Sequence, residues 1–178
     1  WSHQAYPDFL AAWYIHQRKL PPRQVSALLL HSPTNIVIPH LSECAAWLGC
    51  MDPSFLAELI EKNPTILLRS DEAALGIEDR AKILGSLLTA FEEKRLHDLD
   101  LGYRGVYRRL AHPHMADRLR PYIVDRVYNF IVRRAAIDIA EQCRVVELVD
   151  VLAQVALNVA EDMNTREQAA HAIKEIGD

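Results

Sequence analysis

The chain has 178 residues, half of them hydrophobic and a quarter charged, with six glycines and a formal net charge of −4 at neutral pH. That length holds one domain or a stretch of a larger helical array, with enough apolar mass to bury a core. No run approaches the roughly 20 apolar residues that span a bilayer, and the overall balance is too acidic to make nucleic acid the default partner.

The first residues carry neither an initiator Met nor a basic segment ahead of an apolar signal core, so the chain reads as a piece of a longer protein. In the opening "WSHQAYPDFLAAWYI", Tyr6, Leu10 and Trp13 fall at helical spacing, and one of two alternative readings makes them a core stripe with His3 ahead of the first helix. Pro22, Pro33, Pro64, Pro113 and Pro121 mark element boundaries, because proline disfavours helical geometry in the residue before it. Only "NIVIP", Ile36 to Pro39, has strand character, and it is short and closed by proline. Asp52 followed by Pro53 predicts an N-cap with proline in the first helical turn. Ile77, Ala81, Leu84, Leu88 and Phe91 form one helical stripe, and Val145, Leu148, Leu152, Val155 and Val159 form another. Asn164 with Glu167 resembles a capping box ahead of the last helix. About ten helices joined by short connections result, the density of stacked helical hairpins.

The last third repeats itself. Aligning "IVRRAAIDIA" with "NTREQAAHAI" sets Arg133 over Arg166, Ala136 over Ala169 and Ala140 over Ile173. Recurrence of an arginine, a close-packing alanine and an apolar residue at one offset predicts successive two-helix units. The pattern resembles HEAT-like repeats over about residues 125 to 178, and the expected fold is all-α, an α-solenoid of antiparallel helical hairpins.

The opening stretch carries a second resemblance. His3, Tyr6, Asp8, Phe9, Ala11, Ala12 and Tyr14 are similar to a segment near the end of the winged-helix region of NACHT-type STAND NTPases. Pro7, Trp1, and Asp8 in place of a commoner Glu depart from that pattern. The resemblance implies that residues 1–20 end a winged-helix segment and that 21–178 form a HEAT-like region. It also implies that His3 faces the phosphate of bound ADP in the parent protein. An imidazole N–H is suited to that task. ATP or ADP would belong to the parent, because this stretch has no Gly-x-x-x-x-Gly-Lys-Ser/Thr phosphate loop and requires no cofactor of its own.

Other chemistry reads weakly. His112-Pro-His114 is the closest histidine pair, but no Cys or Glu-x-x-His completes a metal set. Cys44, Cys50 and Cys143 are odd in number and lack a Cys-x-x-Cys, which reads as reduced core thiols and a cytoplasmic protein. Neither Gly-x-Ser-x-Gly nor an activated thiol appears, so no catalytic residue is expected.

Charge is more informative. Residues 103–144 carry a net +5, entirely from arginine, while 52–102 and 145–178 each carry −5. Arg104, Arg108, Arg109, Arg133 and Arg134 are candidates for binding an acidic protein surface, Arg104 and Arg108 lying four apart on one helical face. The competing reading pairs these arginines with acids of neighbouring repeats, stitching the array together. The expected function is a non-catalytic sensor or relay in a STAND signalling protein, of the kind that in prokaryotic relatives serves antiviral defence. It would bind a protein partner or ligand on its helical surface. A stand-alone HEAT-like scaffold and a nucleic-acid-binding repeat protein are the alternatives.

Overall fold

A computed structural model describes residues 5–69, 75–97, 105 and 107–177. The described residues form nine α-helices, several short 3-10 turns and one two-residue ladder, so the fold is all-α. None of these helices is long and apolar enough to cross a membrane. The chain forms two compact units, Trp1–Gly76 and Ile77–Asp178.

The first unit contains α1 (Ala5–Gln17), α2 (Pro22–Leu29), α3 (Ser42–Met51) and α4 (Pro53–Lys62). Helix α1 packs on α3, so residue 20 is not a boundary of compactness. The expected core stripe of α1 is on the wrong face: Tyr6, Leu10 and Trp13 are 64%, 42% and 47% exposed. Its buried residue is Ala12, and Phe9 sets its ring edge-on against Trp47 of α3 at 5.3 Å. Helix α1 is apolar nearly all round, and in such a helix spacing cannot choose the buried face; the partner surface does.

Between α2 and α3, Leu30–His31 pairs antiparallel with Ile36–Val37, giving "NIVIP" a minimal strand. The ladder is braced from α4's C-terminal cap, where the buried Asn63 accepts from Val37 N and donates to Asn35 O. Helices α3 and α4 turn on Asp52, which ends the first and caps the second by accepting from the Ser54 and Phe55 amides. Gly49 lets the two approach, since a Cβ there would lie 2.9 Å from Leu59 Cδ1.

The second unit contains α5 (Ile77–Glu92), α6 (Met115–Val124), α7 (Phe130–Gln142), α8 (Val149–Leu157) and α9 (Met163–Gly177), with 3-10 turns at Tyr107–Leu110 and Val146–Leu148. Helix α6 packs on α7 and α8 on α9, while α7 packs on both α5 and α9, and α6 on α8. Leu84, Leu88 and Phe91 are buried as their spacing predicts, but Ile77, in the first turn of α5, is exposed. Val145, Leu148, Leu152 and Val155 are buried too, whereas Val159 is exposed because α8 ends two residues earlier. Pro121 is not a boundary. It lies inside α6, whose buried face of Met115, Leu119 and Ile123 holds the helix together through it.

The joints between helices recur at an interval of 33 residues. Arg133 donates to Ile123 O at the end of α6, and Arg166 donates to Ala156 O at the end of α8. Asp125 accepts from Val127 N, and Asn158 accepts from Ala160 N. Asn129 caps α7 through the Val132 amide, and Asp162 caps α9 through the Thr165 amide. Asp162, outside the helix, therefore holds the position expected of Asn164, which lies within α9. Asn129 also donates to Phe91 O and Glu92 O at the end of α5, satisfying orphan groups of two helices at once.

Where glycine usually ends a helix in left-handed geometry, Lys19, Lys94 and Arg144 do so after α1, α5 and α7, with φ of 48°, 59° and 51°. A cation there interacts favourably with the negative end of the helix dipole, offsetting part of the conformational cost.

Candidate binding surface

The structure divides the arginine block in two. Arg133 is a structural residue: its side chain is 8% exposed, and it makes two 3.0 Å hydrogen bonds to Glu161 and one to Ile123 O. Its assignment to a partner surface is therefore corrected, because the guanidinium is consumed inside the unit. Arg126 joins the same carboxylate at 2.8 Å from a half-exposed position. Donation from Arg133, then from Arg126, holds the Glu161 carboxyl below its ordinary range against the opposing effect of its burial. Arg134 lies over the Phe130 ring, 5.3 Å from its centre, in a cation–π contact. Arg109 is half-buried. Arg126 and Arg133 are thus both paired with one acid, Glu161.

Arg108, Arg118 and Arg144 behave differently. All three are exposed, and among the described residues none takes part in an ion pair. Arg108 stands on the 3-10 turn Tyr107–Leu110, not on an α-helix, while its neighbours Tyr107 and Leu110 anchor that turn in the core. Arg104, expected to share a face with Arg108, and His3 both lie outside the described residues.

A cleft of about 240 Å³, to which Arg144 of these three contributes, is walled by His112, Met115, Cys143, Arg144, Val145 and Glu147. The turn before α6 supplies one wall and the C-terminal turn of α7 the other. Arg120 donates to Glu147 O, fastening α6 to the second wall, and Arg80 of α5 donates to Ala111 O, fastening α5 to the first. Cys143 donates its S–H to Tyr107 O at 3.0 Å, which ties the walls together. Burial pushes that thiol up to about 12, against a smaller lowering by Arg108, so it is not a nucleophile at neutral pH.

His112 is held by its Nδ1, 2.8 Å from Leu110 O, which requires the proton on that nitrogen. Its Nε2 is buried without a hydrogen-bond partner. Desolvation lowers its pKa, and the positive charges of Arg118, His114 and Arg80 lower it further, while the bond to Leu110 acts the other way. A neutral ring leaves the arginines as the source of the cleft's charge. Among the described residues, no three His, Cys, Asp or Glu side chains are grouped to hold a metal ion. His112, Arg80, Arg118 and Arg144 were not singled out from the sequence as site residues, because nothing local in a sequence distinguishes an arginine with a carboxylate partner from one without.

No known protein family, curated protein or solved structure matches this chain.

Proposed function

We propose that this chain is a non-catalytic, HEAT-like recognition or relay module of a NACHT-type STAND signalling protein, binding a protein partner through its helical surface. The recurrence of caps and arginine–carbonyl bonds at a 33-residue interval carries the reading. Each hairpin is too small to bury its own apolar stripe, so stacked copies share a core and expose an extended flank. The unpaired arginines provide the charge with which such a flank selects a partner. Occupation of the flank would bias a nucleotide-controlled switch elsewhere in the parent, to which the ATP or ADP and the role of His3 belong. The cytoplasmic setting rests on three cysteines that are odd in number and lack Cys-x-x-Cys spacing.

The coding region upstream of the Trp1 codon tests the assignment. A phosphate loop followed by a winged-helix segment is the expected finding. An unrelated domain there, or a stop codon in frame, would overturn the STAND reading.

A further inference from the structure

We infer that the cleft between the turn before α6 and the end of α7 seats a carboxylate side chain from an acidic peptide segment of the partner, beside Arg108 and Arg144. This rests on the proposed reading of the chain as a binding module and names the partner's chemistry.

Three observations carry it. First, charge is concentrated here without a structural use. Arg144 lines the cleft, Arg108 follows Tyr107, whose carbonyl accepts from Cys143 of the wall, and Arg118 lies one turn along α6 from Met115 of the lining. None of the three has an ion-pair partner among the described residues, and Glu147 is the lone carboxylate of the lining. Clustered like charges repel, and a carboxylate placed among them relieves that repulsion. Arginine's planar fork suits carboxylate geometry. Secondly, about 240 Å³ accommodates a side chain and is below the roughly 300–1,000 Å³ of cofactor-sized sites. Thirdly, Met115 and Val145 give the walls apolar area, so a segment mixing acidic and aliphatic residues fits better than a uniformly charged one.

Nucleic acid fits less well. Stacking platforms for bases are aromatic, and the lining contains no Phe, Tyr or Trp. Tyr107 is buried, and Tyr122 packs against Tyr128 with 4.4 Å between ring centres. Glu147 also opposes a continuous phosphate backbone.

The test is fluorescence anisotropy of the full chain with a fluorescein-labelled peptide alternating glutamate and leucine, alongside a lysine–leucine peptide and labelled oligo(dT). The glutamate–leucine peptide is expected to bind, more weakly at higher salt, and the double variant Arg108→Gln/Arg144→Asn to lose about tenfold in affinity. Asparagine tolerates the left-handed backbone at residue 144, so this variant is expected to keep the native circular dichroism. Lys174→Gln, on α9, removes one charge as a control and is expected to change nothing. Tighter binding of oligo(dT), absence of glutamate–leucine binding, or binding indifferent to Arg108→Gln/Arg144→Asn would overturn the inference. Each of these outcomes leaves the upstream coding-region test unaffected, so the two failures are distinguishable.

Discussion

Glu161→Gln is the most informative single perturbation of this molecule. The carboxylate is 6% exposed, accepts two bonds from Arg133, itself 8% exposed, and receives a third from Arg126. Glutamine preserves volume and one acceptor oxygen but removes the negative charge, leaving the Arg133 guanidinium enclosed without its counter-ion. Breaking such a buried pair costs about 3 kcal/mol. With an unfolding entropy that scales with length, this lowers the melting temperature of a 178-residue chain by about 8 °C. Arg126→Gln removes a partner that is 49% exposed, where solvent screens the interaction, and costs under about 1 kcal/mol. Urea unfolding followed by circular dichroism compares the two. Because the native carboxyl is held low, its contribution is present above the unfolded carboxyl's pKa and is lost as pH falls through the lowered native value. Glu161→Gln therefore flattens the acid limb of the stability profile. A melting shift under about 1 °C, or one equal to that of Arg126→Gln, refutes the argument that burial of Arg133 sets the cost.

Burial and neighbouring cations depress the native pKa of His112, so its contribution is fully present above the unfolded histidine's value near 6.5 and declines as pH falls below it. Urea midpoints measured between about pH 7.5 and about pH 5.5 should fall for the native chain and fall less for His112→Asn, which retains a donor for Leu110 O. Asn63→Ala leaves the buried Val37 amide without its acceptor and should destabilise the first unit by about 1–3 kcal/mol, read by hydrogen exchange of that amide. Cys143 should resist alkylation by iodoacetamide at neutral pH until urea unfolds the second unit, since its thiol titrates at about 12; rapid labelling of the folded chain would contradict the Tyr107 bond.

Much of the fold was legible because it depends on local spacing. The stripes 84–88–91 and 148–152–155 are buried, the cap at Asp52 stands, and the 133/166 offset appears as two equivalent arginine–carbonyl bonds. Misreadings arose where a partner surface overrode a local pattern. Helix α1 buries Ala12 and turns Phe9 against Trp47 rather than burying the Tyr6–Leu10–Trp13 stripe, α6 continues through Pro121 on its packed face, and Asp162 displaces Asn164 as the cap.

The sequence by itself determined that this is a helical chain with an arginine-rich middle, since side-chain period and formal charge are properties of the residues in order. Tertiary structure alone decided the use of each arginine. Arg133 is spent on Glu161, 28 residues away, whereas Arg144 is left at the mouth of a cleft. Identical guanidinium groups diverge because electrostatic role is set by which carboxylate, carbonyl or solvent the fold brings within a few ångströms, and that proximity is written in no local stretch of chain.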